Sequence, residues 1–389
     1  MVRVTDMTHG RPIRLILLFS LPLMLGSVFQ QLYTIVDTII IGRGVGMQAL
    51  ASIGAADWIN WLVLWGLQGF TQGFAILAAQ EFGAGAYDRL RRVLAMIVKL
   101  SCWFGIAVTI ISLLLVRPLL TLLHTDPAVF GGAQTYLYVQ FGGSLIIIAY
   151  NMAAAVLRCL GDSRTPLFAI IAASFANIAL DLLFVMGFGW GIFGASFATV
   201  LAQLIAFLLC LRSLRRLPFV QLTKADWKTD PAILLHLCRL GIPTGLQMSM
   251  ITLGGMVLQS VLNGFGVVFV AGYTAANKLY GILESASVAF GYAMTAYMGQ
   301  NRGARNAARI DAGIRAVLVL SAEFTAAIVT AMLVAGKPLL GLFLSTEEAG
   351  AADALAVAYQ YLMVLMAFLF ALFMLQAYRS SLQGLGEMT

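Results

Sequence analysis

Long apolar stretches separated by short polar ones dominate the chain. Ten such stretches can be placed, at about residues 14–41, 49–79, 92–116, 135–158, 166–188, 192–211, 233–262, 267–297, 312–335 and 356–378. Each reaches the roughly 20 residues that a helix needs to cross a hydrocarbon layer of about 30 Å. Transmembrane barrel strands need only about 9 to 11 residues of alternating polarity. The pattern therefore predicts an all-α polytopic membrane protein.

A second pattern is repeated along the chain. The segment AAQEFGAG, with Gln80 and Gly83, matches MGQNRGAR, with Gln300 and Gly303, 220 residues later. Further on the offset is 225 residues, and Tyr136 and Gly161 match Tyr361 and Gly386. The first copy holds six predicted helices, which is an even number. The second copy therefore enters the membrane in the same orientation, as a parallel repeat.

The repeat predicts the domain organisation. We expect a six-helix N-terminal lobe over residues 1–212, a polar linker over residues 213–231, and a C-terminal lobe with four helices over residues 232–389. A complete second copy would hold six helices. The sequence thus predicts a fragment of a twelve-helix protein, with a truncated second lobe.

Composition and charge agree with a membrane protein. Hydrophobic residues make up 61% of the chain, charged residues 11%, and the mean hydropathy is +0.91. The 24 Lys and Arg residues outnumber the 17 Asp and Glu residues, and most of them fall in alternate loops. This asymmetry predicts a multi-pass membrane protein with a cytoplasmic N-terminus. The basic loops suit anionic lipid headgroups, and they form no single soluble face for nucleic acid.

Motifs of soluble catalysis and of ATP-driven transport are absent from the sequence. It has no GxxxxGK[ST] phosphate loop and no HExxH zinc motif, and its three histidines are scattered. The four cysteines show no CxxC spacing, which argues against a disulfide framework and against a zinc site. We therefore expect neither an enzyme nor a protein that depends on ATP or a cofactor.

Polar residues interrupt the apolar stretches at few positions, and four of them are expected at one depth. Asn177 and Asp181 lie four residues apart, on one face of the fifth predicted helix. Asp37 comes late in the first helix and Thr199 early in the sixth, so all four fall in the outer half of the membrane. Their oxygens are hard ligands suited to Na⁺. Desolvation and mutual repulsion also allow one carboxyl group to hold a proton. The alternative is a structural role, in which Asp181 caps a neighbouring polar group.

Several segments resemble the multidrug and toxic compound extrusion (MATE) family. They are YTIVDTIIIG at residues 33–42, the spacing of Asn177, Asp181 and Thr199, the AAD and AAN sequences ending at Asp57 and Asn277, and the turns after Gln80 and Gln300. Family members are twelve-helix proteins whose two six-helix lobes enclose a central cavity. They export organic cations and drugs in exchange for H⁺ or Na⁺. The resemblance therefore implies an antiporter with small organic cations as its cargo.

The resemblance also implies residue roles. In the family, a cation site of the N-terminal lobe is built from an Asp of the first helix, an Asn and an Asp of the fifth, and a Thr of the sixth. Asp37, Asn177, Asp181 and Thr199 match these positions. Many relatives carry a Glu on the seventh helix for a second site, but this chain has no acid between residues 243 and 264. Glu284 and Glu323 either replace it or make lateral hydrogen bonds between helices.

Further polar and aromatic residues are candidates for a cavity that holds flat cationic solutes. They are Gln30, Gln31, Tyr33, Asp57, Trp61, Trp65, Tyr150, Asn151 and Met152. For the aromatic residues, packing against helices or lipid is the alternative. Pro22 and Pro243 occupy near-equivalent positions in the two copies and are candidate hinges.

The sequence thus predicts a secondary antiporter in which two lobes rock about a central cavity by alternating access. Two rival interpretations stay open. A lipid-linked precursor flippase of a related superfold would need a strongly cationic cavity to hold a pyrophosphate. A channel or a non-transporting membrane scaffold would not need the paired carboxylates.

Overall fold

The computed structural model describes residues 4–343 and 350–387, and these residues are mainly helical, with no strand among them. Eleven α-helices follow one another along the described chain. They are α1 (Pro12–Gly44), α2 (Met47–Gly83), α3 (Tyr87–Leu122), α4 (Pro127–Gly142), α5 (Ser144–Cys159), α6 (Arg164–Asp181), α7 (Gly191–Arg215), α8 (Pro231–Leu262), α9 (Val267–Gly303), α10 (Ala307–Gly341) and α11 (Ala351–Leu385). A π-helical turn, Leu182–Gly187, follows α6, and short 3₁₀ turns lie at Pro218–Val220, Lys224–Trp227 and Asn263–Phe265.

Length and composition allow most of these helices to cross a membrane. Among the described residues, eight helices are each long and apolar enough to cross a membrane. Helices α4 and α5 together form a ninth possible span, which is bent by 50°. The bend lies at Gly143, inside the stretch 135–158 that the sequence predicted as one helix. A side chain at this position would crowd α7, because a Cβ on Gly143 would lie 2.8 Å from Cγ1 of Val200. Helix α9 is 37 residues long but less apolar, with Lys278 and Glu284 in its middle. The predicted all-α polytopic fold is confirmed, and the described residues supply eight or nine spans where the sequence predicted about ten.

The connections between the helices gather at two ends of the bundle. One end, called the basic end here, carries residues 4–11 and the α2–α3, α5–α6, α7–α8 and α9–α10 connections. Backbone N–H groups of Thr5 and Met7 donate to Gly161 and Gln300 there. Arginines of these segments include Arg11, Arg89, Arg164, Arg215, Arg302 and Arg305. The opposite end carries the α1–α2, α3–α4, α6–α7 and α8–α9 connections.

Helix α1 contacts both the N-terminal half of the bundle (α2–α7) and the C-terminal half (α8–α11). Near the basic end, Ile16 is buried in a cluster with Phe290 of α9. Near the opposite end, Ile41 packs with Val185 of the π-helical turn. Pro22 lies between these two buried regions, within a helix that continues through it. A single helix therefore links the packing of the two halves.

Glycines allow α2 and α8 to approach closely across the two halves. A Cβ on Gly73 would lie 2.6 Å from Cα of Gly241, and one on Gly69 would lie 2.8 Å from Cα of Gly245. Side chains at these positions would force the two backbones apart, so small residues set the distance between the helices.

The linker between α7 and α8 packs on α3 through a buried carboxylate. Asp226 accepts hydrogen bonds from the backbone N–H of Thr223, at 2.8 Å, and from its hydroxyl, at 2.7 Å. The Nε atom of Arg91 lies 3.8 Å from the same carboxylate. Burial by itself raises the pKa of Asp226, but the Thr223 hydrogen bonds and the charge of Arg91 hold this pKa below its usual value.

Candidate cation site

The last turn of α6 carries the two most buried polar residues of the candidate site. Asn177 is 2% exposed and Asp181 is fully buried. Helix α6 ends at Asp181, where the backbone widens into the π-helical turn, a feature that occurs frequently at functional sites. Helices α1 and α7 both pack on α6. On α1, Asp37 brings its carboxyl group within electrostatic range of the Asp181 carboxyl group.

Most of the buried polar atoms in this cluster have no hydrogen-bond partner among the described residues. They are Oδ1 of Asp37, both side-chain polar atoms of Asn177 and both carboxylate oxygens of Asp181. A buried polar group without a partner costs roughly 1 to 3 kcal/mol, and more when it is charged. Two carboxyl groups and an amide oxygen would be satisfied together by one shared cation or by protonation. The geometry therefore fits a site for a small hard cation or a proton.

Transition-metal chemistry is not supported by this cluster. Nowhere in residues 4–343 and 350–387 do three or more His, Cys, Asp or Glu side chains group so that they could hold a metal ion. The donors are oxygen atoms from two acids and one amide, a set that suits hard monovalent or divalent cations better than zinc or copper.

Thr199 completes the set predicted from the sequence, and it is half-buried on α7. Its hydroxyl donates to the carbonyl oxygen of Ala195, one turn earlier, at 3.1 Å. The hydroxyl oxygen keeps lone pairs that can accept or ligate. The role of Thr199 at the cation site stays a prediction.

A third carboxyl group, on α2, extends the cluster. Asp57 is half-buried and lies within electrostatic range of Asp37 and of Tyr136 on α4. The Tyr136 hydroxyl accepts from Nδ2 of Asn60 at 3.2 Å. The sequence nominated Asp57 but not Tyr136 or Asn60, although Tyr136 recurs as Tyr361 in the repeat.

The other nominated cavity residues fall into two groups. Tyr33 lies within electrostatic range of Asp37, and Gln30 and Gln31 are exposed on the same helix. Trp61 is exposed on α2 beside Trp58, with ring centroids 5.4 Å apart.

The remaining nominated residues lie nearer the basic end. Tyr150 is buried on α5, while Nδ2 of Asn151 donates to the carbonyl oxygen of Ile147 in its own helix, at 2.9 Å. Glu284 on α9 is half-buried, and it lies within electrostatic range of Arg379 on α11. Pro243, like Pro22, lies within a continuous helix. A hinge at either proline stays a prediction.

The two copies of the glutamine motif contact each other at the basic end. A Cβ on Gly83 would overlap the backbone of Gln300, and a Cβ on Gly303 would overlap the backbone of Gln80. Nε2 of Gln80 donates to the carbonyl oxygen of Gly384 at 3.2 Å, and Nε2 of Gln300 donates to that of Cys159 at 2.9 Å.

These two hydrogen bonds are equivalent in the repeat, because Cys159 and Gly384 are 225 residues apart. The sequence revealed the repeated motif but not that its two copies meet. Their contact closes the basic end between α2 and α9.

The N-terminal segment adds a tie on one side of this contact. Oε1 of Gln300 accepts from the backbone N–H of Met7 at 2.8 Å. The carbonyl oxygen of Met7 accepts from Nδ2 of Asn301 at 3.1 Å and from Arg309 at 3.0 Å. Met7 itself is fully buried. The segment thus joins the α5–α6 connection to α9 and α10.

Comparisons with known proteins agree on one family. The MatE family model matches residues 22–183 and 243–389. The chain is 34% identical over 368 residues to the probable multidrug resistance protein YpnP of Bacillus subtilis, covering 93% of this chain and 80% of that protein. It is 27% identical over 355 residues to the probable multidrug resistance protein YoeA of the same organism, covering 89% and 76%.

Solved structures show the same fold. A structure described as the outward-facing conformation of a multidrug resistance MATE family transporter superposes with a TM-score of 0.90 at 24% identity, covering 99% of this chain and 86% of that chain. A MATE structure in complex with MaL6 gives a TM-score of 0.91, also at 24% identity, covering 100% and 86%.

Proposed function

Because the chain belongs to the MatE family, we propose that it exports small organic cations or drugs in exchange for H⁺ or Na⁺. The relatives YpnP and YoeA are named as probable multidrug resistance proteins, which supports drug export. The apolar helices support a multi-pass membrane protein. Its place in the bacterial inner membrane, with a cytoplasmic N-terminus and the basic end inside, is part of the same proposal.

The observation that carries the proposal is the set of unpartnered polar atoms on Asp37, Asn177 and Asp181. Two acids side by side without a counterion are stable at low cost only when a proton or a metal cation joins them. The ion that joins them acts as the driving substrate. The protein's own groups hold it: the carboxylates carry the charge, the Asn177 amide oxygen adds a ligand, and Thr199 supplies a further oxygen.

Helix α1 offers a physical route from ion binding to a change between the two halves. It carries Asp37 near the opposite end, and it packs on the C-terminal half near the basic end. An ion that draws Asp37 toward Asp181 changes how α1 packs, and Pro22 leaves the carbonyl oxygen of Leu18 without its helical N–H donor. Ion binding shifts the balance between conformations only as far as the ion prefers one of them.

The test uses inverted membrane vesicles that contain the protein and a fluorescent cationic dye. Proton and Na⁺ gradients are imposed separately, and dye movement is recorded. We expect movement with one gradient, and we expect it to be lost in Asp37→Asn and in Asp181→Asn. The matched control is Asp88→Asn, which changes an exposed acid of α3 whose side chain is 88% exposed.

Dye movement that persists unchanged in both site variants would refute the assigned coupling site. Absence of movement with either gradient, from protein shown to be folded, would favour the flippase or scaffold interpretations.

A further inference from the structure

A buried arginine without an acidic partner lies between the two halves, away from the cation site. Arg158, in the last turn of α5, is 9% exposed. Across residues 4–343 and 350–387, no carboxylate oxygen lies within ion-pair distance of it, and its buried Nε atom has no acceptor. Its guanidinium carbon lies 4.7 Å from the ring centroid of Tyr292 on α9. Arg158 therefore reaches from the N-terminal half to the C-terminal half.

Burying the Arg158 guanidinium group costs free energy unless another group compensates its positive charge. Removing a cation from water is expensive, and stacking on one aromatic ring compensates it only in part. Ionisable residues inside membrane proteins usually have a partner, or they mark the path of a substrate. Since the described part of the chain supplies no acid to Arg158, the missing partner is expected to be a ligand of negative charge.

Further hydrogen-bond donors belong to Tyr292 and to the α2 face that contacts it. The Tyr292 hydroxyl accepts from Nε2 of Gln68 on α2, at 2.8 Å, which leaves its own O–H free to donate. Gln72 lies one turn from Gln68 on the same face of α2, and its buried Nε2 atom has no partner in the described residues.

A second guanidinium group lies within electrostatic range of the same tyrosine. Arg379 of α11 lies within electrostatic range of Tyr292, and its buried Nε atom has no acceptor among the described residues. One of its terminal nitrogens donates to Oε1 of Gln376. Glu284 is the acid within electrostatic range of Arg379. Arg158 and Arg379 thus bring two positive charges near Tyr292, against the one carboxylate of Glu284 beside Arg379.

We propose that Arg158, the Tyr292 hydroxyl and Gln72 form a subsite that binds the carboxylate group of an amphoteric aromatic cargo. The inference rests on the proposed export function and narrows its cargo. A guanidinium fork and a phenol donor fit a planar carboxylate, which accepts several hydrogen bonds at once. Glu284 makes the same place less suitable for a multiply charged phosphate. The cation of such a cargo is left to the acidic cluster nearer the opposite end.

The proposed carboxylate subsite lies beside the contact that closes the basic end. Arg158 is next to Cys159, whose carbonyl oxygen accepts from Gln300 across the two halves. A carboxylate that binds Arg158 and Tyr292 together therefore bridges α5 and α9 beside the contact that holds the basic end closed. Separation of the halves would break this bridge.

The experiment measures binding of two dyes that differ only at the carboxyl group, a carboxyl-bearing rhodamine and its ethyl ester. Fluorescence polarisation is recorded with purified protein in detergent, where no ion gradient is needed. We expect the acid to bind more tightly than the ester. Arg158→Gln is expected to weaken acid binding roughly tenfold and to leave ester binding nearly unchanged, since a hydrogen-bonded charge pair is lost only for the acid.

Two further variants and one control sharpen the assignment. Tyr292→Phe keeps the ring that stacks on Arg158 but removes the O–H donor, so acid binding weakens by less than in Arg158→Gln. Arg158→Lys keeps the charge but not the fork, and is expected to recover part of the preference for the acid. The control is Arg212→Gln, which removes an exposed arginine of α7 and leaves both dyes unaffected.

The outcomes separate this inference from the export function on which it rests. Ester binding that survives in each variant shows that the protein is folded. Equal affinities of the two dyes for the unmodified protein, no binding of the acid, or equal weakening of both dyes by Arg158→Gln would each overturn the subsite. Vesicles in which neither dye moves with any gradient would instead overturn the export function.

Discussion

The cation cluster and the contact at the basic end treat buried polar groups in opposite ways. In the cluster of Asp37, Asn177 and Asp181, five buried side-chain atoms have no partner in the described chain. At the basic end, both side-chain polar atoms of Gln300 are hydrogen-bonded, and this side chain is fully buried too. Asn177, Asp181 and Gln300 are all buried. The two regions therefore differ in whether the chain itself supplies the hydrogen-bond partners of these side chains.

This difference separates binding from packing. A fully satisfied polar network rigidifies the fold, while an unsatisfied one costs free energy until a ligand joins it. The Gln300 contact at the basic end is satisfied by described residues of the chain, so we expect it to have a structural and closing role. Under the proposed function the cation cluster is completed by an ion or a proton, so its free energy would depend on the solution. The comparison predicts that changes at the basic end alter conformation and stability, while changes in the cluster alter coupling.

The largest effect is expected from adding one methyl group at the basic end. In Gly83→Ala the new Cβ would overlap the Gln300 backbone, and overpacking of this kind costs roughly 1 to 3 kcal/mol. The ratio of closed to open states should fall by roughly 5- to 150-fold. Maleimide labelling of the buried Cys159 thiol, with the other three cysteines replaced by serine, measures this loss as a faster rate.

Gly54→Ala is the matched control for that variant, because both glycines belong to α2. Nothing lies within 4 Å of a Cβ at Gly54. Alanine there should leave the labelling rate of Cys159 unchanged and slightly favour the helix. Equal labelling rates in the two alanine variants would mean that the glycine contact does not hold the basic end closed.

A moderate effect is expected from the two glutamines, and it should be unequal. Gln300→Leu leaves the N–H of Met7 and the carbonyl oxygen of Cys159 without their partner, whereas Gln80→Leu frees only the carbonyl oxygen of Gly384. Each buried group left unpaired costs roughly 1 to 3 kcal/mol. Gln300→Leu should therefore lower the melting temperature more than Gln80→Leu, as measured by intrinsic fluorescence on heating.

This asymmetry arises from the N-terminal segment, which breaks the symmetry of the repeat. Truncation of residues 1–7 removes the Met7 tie and should bring the melting temperatures of the two glutamine variants together. If Gln80→Leu proved as destabilising as Gln300→Leu in the full chain, the segment would contribute nothing to this contact.

The sequence predicts the parts of the molecule that depend on periodicity and polarity. Long apolar runs fix the helices, because a chain in lipid must satisfy its backbone polar groups internally. The rare charges within those runs indicate Asp37 and Asp181, since each is expensive in hydrocarbon. The spacing of Asn177 and Asp181 places both on one helical face without any tertiary information.

What the sequence misses depends on contacts between distant segments. In the sequence, Arg158 lies just before the polar segment GDSRTP at residues 161–166 and looks like an ordinary loop arginine. Only the packing of α5 against α9 shows that it is buried against Tyr292. The repeat reveals Gln80 and Gln300 as equivalent but not as neighbours. The 50° bend at Gly143 is also invisible, because glycine occurs throughout helices of this composition. Register between helices is set by side-chain fit, which a single sequence does not display.

The smallest predicted effect concerns a carboxylate that is buried like Asp181 but fully partnered. Asp226→Ala removes the Thr223 cap and the contact with Arg91, and should destabilise the protein by about 1 kcal/mol, as loss of a helix cap does. Dye transport should persist, because this linker lies outside the proposed cation site. Asp88→Ala, the control, removes an exposed partner of the same arginine, and a surface ion pair of this kind contributes little.

The effect of Asp226→Ala on stability should depend on pH, and the pKa of Asp226 fixes the direction of that dependence. The folded protein holds the pKa of Asp226 below its unfolded value, which is about 3.9. Its contribution to stability is therefore fully present above about pH 5 and is lost as the pH falls through the lowered folded value. The difference in melting temperature between the unmodified protein and Asp226→Ala should shrink over that acidic range. A difference that stayed constant down to the acid limit of the fold would show that packing of the linker, and not the carboxylate, anchors it to α3.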